Sequence, residues 1–498
     1  MENVITDQAS HPASSVVTSK QMRAAEEAAF AGGITAEALM DQAATGIAGV
    51  VEKFFPKNPG HCVVFSGKGN NAGDAFAAAR LLQERGWTIE LHLAFPEGKC
   101  GELARKKLRS LDQSISESPH RHSVILDGLL GLGAKLPLRD PIASACREIN
   151  RRRLEENAFV FAIDIPTGLD GDSGAADADC VIADFNLTIG FAKRGLVVDQ
   201  ALDFVGRIER IPLPDLDPPE QSNAVLADGS ALSGLLPRRK FGAYKNQFGR
   251  VGVVSGSRGF SGAAILSATG ALRGGAGLVE LFVLEEIYSI VAATAPPEVM
   301  VKPISSYSAL LAEPIDVWAV GPGLGQEHAN EIRRLIQEAQ QPMVVDADAL
   351  NALARDPSIL SQGKGPRLLT PHPGEMKRLF PAEEKSRAEQ ALEFTAKYPV
   401  TLLLKGSRTI VAERDHPLSY NTTGTPGMAT GGMGDVLTGV CAALIAQKLS
   451  LFDAARLGAW LCGRAAEIAI FNGDSSEESL LPSDLLNHLG RAFRELSF

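Results

Sequence analysis

The chain has 498 residues, of which 45% are hydrophobic and 22% charged, and its 49 basic and 59 acidic side chains leave a net charge of −10 at pH 7. That length exceeds one ordinary core and calls for two or more domains. The acidic balance argues against nucleic acid or an anionic membrane as the main partner, while leaving room for a local phosphate pocket. Residues 1–15 lack the apolar stretch of a secretory leader, and no apolar run is long enough to span a bilayer. The six cysteines (Cys62, Cys100, Cys146, Cys180, Cys441, Cys462) have neither C-x-x-C nor zinc-ligand spacing, as expected of reduced thiols in a cytoplasmic protein.

In chain order, residues 1–17 read as a loose tail. Helices are expected at 19–31, closed by Gly32-Gly33, and at 36–55. Apolar strands follow at 61–66, 88–95, 123–126, 159–165 and 186–189, with helices such as 74–85 and 141–154 between them. Arg151, Arg152 and Arg153 close the last of these helices, where positive charge suits the dipole. The proline-rich acidic run from Ile211 to Glu220 marks a linker, so the first domain is expected over 18–212, the linker over 213–227 and a second domain over 228–498. There the pattern restarts, with strands at 250–255, 279–283, 317–320, 343–346, 367–370 and 401–404, and helices at 262–274, 327–340, 435–447 and 451–471. Alternating helices and continuous apolar strands predict α/β architecture: two three-layer αβα domains, each with a largely parallel sheet covered on both faces.

Chemistry-bearing residues gather at expected strand ends, where ligands bind in open α/β sheets. After the first strand comes Gly67-Lys-Gly-Asn-Asn-Ala-Gly-Asp74, a strand–turn–helix position suited to phosphate. It is neither G-x-G-x-x-G nor a Walker loop. Its two asparagine amides suit a hard monovalent cation or a ribose hydroxyl. Two more strands end in acids: Asp127, in Leu126-Asp-Gly-Leu-Leu-Gly-Leu-Gly-Ala-Lys-Leu-Pro137, and Asp164, in Ile163-Asp-Ile-Pro-Thr-Gly-Leu-Asp170. In the second half, Asn421-Thr-Thr-Gly-Thr-Pro-Gly-Met-Ala-Thr-Gly-Gly-Met-Gly-Asp435-Val-Leu-Thr-Gly-Val440 is a glycine-rich loop running into a helix. A helix start offers unpaired N–H groups to a phosphate. A carboxylate at that spot has a use in removing a proton from an attacking hydroxyl, so the loop reads as a phosphoryl-transfer site with Asp435 as base. Further strand ends carry Ser255-Gly-Ser-Arg-Gly-Phe-Ser-Gly-Ala-Ala264, Gly321-Pro-Gly-Leu-Gly325, Thr370-Pro-His-Pro-Gly-Glu375 and Lys405-Gly-Ser-Arg-Thr409. His372 lies clamped between two prolines, which marks it for ligand contact.

Residues 18–212, through Gly-Lys-Gly-Asn-Asn-Ala-Gly-Asp, Asp-Gly-Leu-Leu-Gly and Ala-Ile-Asp-Ile-Pro-Thr-Gly-Leu-Asp, resemble the NAD(P)H-hydrate epimerases. The resemblance implies a Rossmann-like domain that interconverts the R and S forms of hydrated NADH and NADPH (NADHX and NADPHX). It also implies a potassium ion held by Asn71, Asp127 and Thr167. Substrate would lie along Asn70, Asn71, Ala72, Gly73 and Asp74, along the Gly131, Leu132, Gly133, Ala134, Lys135, Leu136 and Pro137 loop, and at Asp164. Asp164 is the implied acid/base, with Lys135 assisting. Three positions depart from the family: Ala72 and Ala75 replace glycines, and Thr167 stands where serine is common. A requirement for positive φ at Ala75 would strain the pocket.

Residues 228–495 resemble the ADP/ATP-dependent NAD(P)H-hydrate dehydratases of the ribokinase-like superfamily, through Pro-His-Pro-Gly-Glu, Gly-Met-Ala-Thr-Gly-Gly-Met-Gly-Asp and Ala-Leu-Arg-Gly-Gly-Ala-Gly-Leu-Val. By position, Ala263, Gly323 (or Gly325), His372 and Asp435 would contact the hydrated dinucleotide. Lys405, Gly406, Ser407, Arg408, Thr409 and Gly434 would contact ADP or ATP, which brings Mg²⁺. The two resemblances together imply a homo-oligomeric repair enzyme acting on NADHX and NADPHX. Two alternatives stay open: an ordinary small-molecule kinase, and an N-terminal half that binds without catalysing.

Overall fold

The computed structural model describes residues 14–55, 60–111, 123–219, 222–236, 238–382 and 384–496, in two compact units, 1–226 and 227–498. Most of the expected tail, residues 1–13, lies outside the described residues.

The first unit contains β1 (Val16–Val17), α1 (Ser19–Ala31), α2 (Ala36–Phe54), β2 (His61–Ser66), α3 (Asn70–Glu84), β3 (Thr88–Leu93), α4 (Glu102–Leu108), β4 (Ser123–Gly128), α5 (Ile142–Glu155), β5 (Phe159–Ile163), β6 (Phe185–Ile189), β7 (Ala192–Lys193), α6 (Leu202–Val205) and β8 (Arg207–Ile211). Six strands form one parallel sheet in the order β3-β2-β4-β5-β6-β8. Its central strands are buried on nearly every residue, which explains why they read as apolar runs without alternation. The chain reverses its direction of travel across the sheet between β2 and β4, so the turns leaving those strands flank a crevice. Buried β1 pairs with β7, so the fold reaches two residues before the boundary expected at 18. Thr18 and Gln21 form a capping box that fixes where α1 starts.

One expected boundary moves in a way that matters. Helix α3 starts at Asn70, four residues earlier than its apolar periodicity suggests, so Asn70, Asn71, Ala72, Gly73 and Asp74 form a helical first turn instead of a loop. Ala72 and Ala75 are therefore helical and carry no positive φ, and the strain considered for Ala75 is absent.

Strand β9 (Ala224–Ala227) spans the division at 226/227, and the second unit continues with α7 (Gly229–Leu232), β10 (Arg250–Val254), α8 (Ser261–Arg273), β11 (Leu278–Leu284), α9 (Glu285–Thr294), β12 (Met300–Ile304), β13 (Val317–Val320), α10 (Ala329–Glu338), β14 (Met343–Val345), α11 (Ala347–Leu353), β15 (Arg367–Leu369), α12 (Pro373–Leu379), α13 (Arg387–Lys397), β16 (Thr401–Leu404), β17 (Ile410–Ala412), β18 (Leu418–Asn421), α14 (Met433–Ala446), α15 (Leu451–Phe471) and α16 (Pro482–Leu496). Its ten-stranded sheet runs β12-β11-β10-β13-β14-β15-β16-β17-β18-β9. It is parallel from β12 to β16, and β16-β17-β18 is an antiparallel meander. The switch point lies between β10 and β13.

Helices α8 and α14 pack backbone to backbone over this sheet. A Cβ on Gly439 would fall inside the van der Waals shell of the Ser267 carbonyl, and one on Gly270 would lie 2.5 Å from the Val436 carbonyl. This contact holds the start of α14 against α8, where a Cβ on Gly432 would lie 2.6 Å from Leu266 Cδ1. Among the described residues no helix is long and apolar enough to cross a membrane, and all six cysteines are buried free thiols. Gly439→Ala is expected to force the two helices apart and destabilise the second unit by about 1–3 kcal/mol. Urea unfolding of the variant beside the parent checks this, and superimposable curves would remove the close contact.

Candidate active sites

In the first unit, Asp127 ends β4 fully buried. Its carboxylate accepts the Thr167 backbone N–H at 2.8 Å, the Thr167 hydroxyl at 2.8 Å and the Leu129 N–H at 3.2 Å, all neutral donors. Burial pushes Asp127 up to about 6 against those bonds. Asn71 is nearly buried in the first turn of α3, and its Nδ2 finds no partner. Asp127 and Thr167 are thus directly hydrogen-bonded oxygen donors, the carboxylate having no charged hydrogen-bond partner, and with the amide oxygen of Asn71 they make a donor set chemically suited to an alkali cation.

Asp164 follows β5 with φ +70°, a left-handed conformation that non-glycine residues seldom adopt. Its Oδ1 receives the Lys193 ammonium and, at 3.4 Å, the Ile189 N–H, while Oδ2 makes no hydrogen bond among the described residues. A Cβ placed on Gly131 would lie 3.6 Å from Asp164 Oδ2 and 3.7 Å from Asn71 Oδ1, so the side chains of Asp164 and Asn71 converge beside that glycine. The bare backbone at Gly131 keeps this space open. Asp74 and Glu26 face the same cluster. Burial, then the Asp164 charge, pushes Asp74 well up, with Glu26 adding and Lys193 opposing. Glu26 is raised for the same leading reasons. The Arg23 guanidinium of α1 donates to the Leu132 carbonyl at 3.0 Å and so ties the 131–137 loop to that helix. Lys135, expected to assist Asp164, is exposed, as are its neighbours Leu136 and Pro137, and it forms no ion pair among the described residues. The lysine that reaches Asp164 is Lys193.

In the second unit, the turns after β10 and β13 meet across the switch point. Ser255 Oγ and the Gly256 N–H both donate to the Pro322 carbonyl, at 2.7 and 2.9 Å. A Cβ on Gly323 would stand 2.9 Å from the Ala263 methyl, so those two residues line one spot. Gly325 donates its N–H to Asp348 at 2.9 Å, which anchors this loop to α11. His372 caps α12: its Nδ1 accepts the N–H groups of Gly374 at 3.0 Å and Glu375 at 3.3 Å, while Glu375 returns a bond to the His372 N–H at 2.8 Å. The ring stays half exposed, at 51%.

Gly432 turns left-handed at φ +95° and α14 begins directly after it with no side-chain cap, so its first N–H groups stay open to an anion. Asp435 lies in that first turn. Burial, then the Asp346 carboxylate, pushes it up to about 6, with Lys405 opposing. Lys405 donates to Asp346 Oδ1 at 2.7 Å and lies 3.9 Å from Glu375, and Thr438 donates to Asp346 Oδ2 at 2.8 Å. Although burial disfavours its charge, Lys405 is held above its ordinary value by Asp346 and Glu375. Gly434 adjoins this pair, since a Cβ there would lie 3.3 Å from Lys405 Nζ and 3.6 Å from Asp346 Oδ2. Of the remaining expected nucleotide contacts, Gly406, Ser407, Arg408 and Thr409 form the turn after β16, where the Arg387 guanidinium donates to the Ser407 carbonyl at 2.9 Å.

Comparison with known proteins joins these two sites. Residues 251–489 match the NAD(P)H-hydrate dehydratase family, and residues 36–195 match the family described as YjeF-related protein N-terminus. A bifunctional NAD(P)H-hydrate repair enzyme of Moorella thermoacetica is 36% identical, covering 92% of this chain and 92% of its own. The chain belongs to the bifunctional NAD(P)H-hydrate repair enzymes. The member from Escherichia coli is 32% identical over 94% of this chain and 92% of its own. A solved ADP/ATP-dependent NAD(P)H-hydrate dehydratase from Bacillus subtilis, co-crystallised with ATP and Mg²⁺, is 28% identical and covers 55% of this chain and 98% of its own, with a TM-score of 0.49.

Sequence reasoning about this family member missed Lys193 and Glu26 in the first site and Asp346, Glu375 and Thr438 in the second. Asp346 carried the same signal as Asp127 and Asp164, an acid closing an apolar strand, and could have been found by it. Lys193 carried none, because it reaches the site from a two-residue strand outside the main sheet. Asp346→Asn removes the like charge that helps raise Asp435, so the Asp435 pKa is expected to fall below about 6. Carboxyl titration by ¹³C NMR reads this directly, and an unmoved Asp435 would break the coupling.

Proposed function

We propose that the chain repairs hydrated NADH and NADPH in two steps. The first unit interconverts the R and S forms of NADHX and NADPHX, and the second dehydrates the S form at the expense of ADP or ATP. The observation that carries this reading is the setting of Asp435, a carboxyl raised to about 6 in the open first turn of α14, beside the partly buried Lys405.

Hydroxide is a poor leaving group, and phosphorylation makes the ring hydroxyl a good one. Asp435 takes the hydroxyl proton as that oxygen attacks the terminal phosphoryl group of the nucleotide. The α14 N–H groups and Lys405 hold the phosphate charge, shared with the Mg²⁺ that travels with the nucleotide. The ring nitrogen then pushes out phosphate, and loss of a proton from the neighbouring carbon restores the reduced nicotinamide. Ala263, Gly323, Gly325 and His372 line the dinucleotide side of this crevice, and residues 405–409 and Gly434 the nucleotide side.

In the first unit, Asp164 Oδ2 is the free base beside Gly131. It accepts the proton of the ring hydroxyl as the adjacent carbon–nitrogen bond opens and returns it once the ring recloses on the other face. The nitrogen gains a proton on opening and loses it on closure. The oxygens of Asn71, Asp127 and Thr167 would hold a potassium ion, whose charge would neutralise the buried Asp127. The first turn of α3 and the 131–137 loop receive the rest of the dinucleotide. We place this chemistry in the cytoplasm, with the chain acting as a homo-oligomer.

The test is an assay of the whole protein with mixed R and S NADHX, K⁺, Mg²⁺ and either ADP or ATP, following reduced-nicotinamide absorbance. Recovery of the whole pool is expected. Recovery that halts at the S fraction would reduce the first unit to a binding module, and a stable phosphorylated product would make the second an ordinary kinase. Asp164→Asn is expected to stop epimerisation while S-form dehydration continues, and retained epimerisation would take Asp164 out of the mechanism. Asp435→Asn is expected to slow dehydration by about 10²–10⁴-fold. In the parent, Asp435 is protonated below about 6 and cannot act as a base. Dehydration kcat/KM should therefore climb as pH rises through about 6 and then level off, and a flat profile there would sink the assignment.

A further inference from the structure

Resting on the epimerase reading of the first unit, we propose that Lys193 is a positioning residue for Asp164: it grips Oδ1, so that Oδ2 alone meets the substrate beside Gly131. The Lys193 side chain is fully buried. Its three N–H bonds have three acceptors: Asp164 Oδ1, the Ile189 carbonyl at 2.8 Å and the Thr188 hydroxyl at 3.4 Å. The ammonium is thus spent on fixing the far side of one carboxylate and the turn after β6. It has neither exposure nor a free N–H with which to touch a ligand.

Several features converge on that geometry. Lys193 belongs to β7, which lies outside the six-stranded sheet and pairs only with β1, through Val17↔Lys193. Asp164 holds a left-handed conformation. Such a backbone persists when neighbours over-determine it, and the Lys193 bond together with the Ile189 N–H supplies that restraint from the Oδ1 side. Among the described residues the other oxygen has no partner, and it faces the same gap as Asn71, whose Nδ2 is also unsatisfied there. Asp74 on α3 and Glu26 on α1 face the Asp164–Lys193 pair, with Arg23 and Glu27 beside Glu26. Without Lys193, Asp164 would keep two carboxyl neighbours and lose the cation that holds it in place. Its aim therefore depends on one side chain that never reaches the substrate.

The experiment compares the full-length parent, Lys193→Met, Asp164→Asn and the double variant, measuring R-to-S epimerisation and S-form dehydration in the same preparations. For Lys193→Met, epimerisation kcat is expected to fall by about 10²-fold with KM within a few-fold of the parent and dehydration unchanged. The double variant should be no slower than Asp164→Asn, because both changes remove one unit of function. Lys193→Gln keeps an N–H donor within reach of Oδ1 and is expected to show the same split with a smaller loss. It also carries the test should the methionine variant fail to fold. Parental kcat in either folded variant, a loss confined to KM, or additive losses in the double variant would overturn the proposal. A parent without epimerase activity would overturn the epimerase reading itself.

Discussion

An ammonium set against a strand-end aspartate lies at the heart of each unit: buried Lys193 on Asp164 in the first, partly buried Lys405 on Asp346 in the second. Desolvating two opposite charges is seldom the cheapest way to stabilise a fold, and well-packed apolar residues often do as well. Here the pairs serve as fixed electrostatic reference points. Each holds one carboxylate still at the carboxyl end of a parallel sheet, and each faces further carboxyls that burial pushes toward neutrality: Asp74 and Glu26 around Asp164, Asp435 beside Asp346. Carboxyls whose environments are driven apart are what proton transfer near neutral pH requires. The two units reach that condition by the same device in different sheets.

The backbone around the second pair is as constrained as its charges. Gly270 and Gly439 let α8 and α14 touch, and the open start of α14 lies where a Cβ on Gly434 would meet Lys405 and Asp346. Asp348 ties Gly325 down, and the Glu375–His372 capping box fixes the carboxylate that faces Lys405. The surroundings of the open end of α14 are thus assembled from segments far apart in the chain, each held by a bond that no ligand needs to supply.

Much of this was legible in the residues. Continuous apolar runs located the central strands to within a residue or two, because buried parallel strands leave no alternation to confuse the pattern. The acids that close β4 and β5 marked the first site, and the glycine loop before Asp435 marked the second. Short or outer strands such as β8, β12 and β17 were not legible, since a few apolar residues next to turns carry little signal. The start of α3 was misplaced because Asn70 and Gly73 read as loop residues, whereas the turn after β2 carries the chain straight into the helix. Lys193 and Lys135 illustrate the remaining limit. Both are single lysines near glycines in sequence, and only the three-dimensional path of the chain buries one and exposes the other.

The cap at His372 has a consequence for what its ring can recognise. With Nδ1 occupied as the acceptor for two backbone N–H groups, the neutral imidazole carries its proton on Nε2. The exposed edge of the ring, with Glu375 Oε1 3.5 Å from Nε2, is therefore a donor. It reads acceptor atoms, such as an amide carbonyl or a phosphate oxygen, and the specificity of the ring is written into its tautomer.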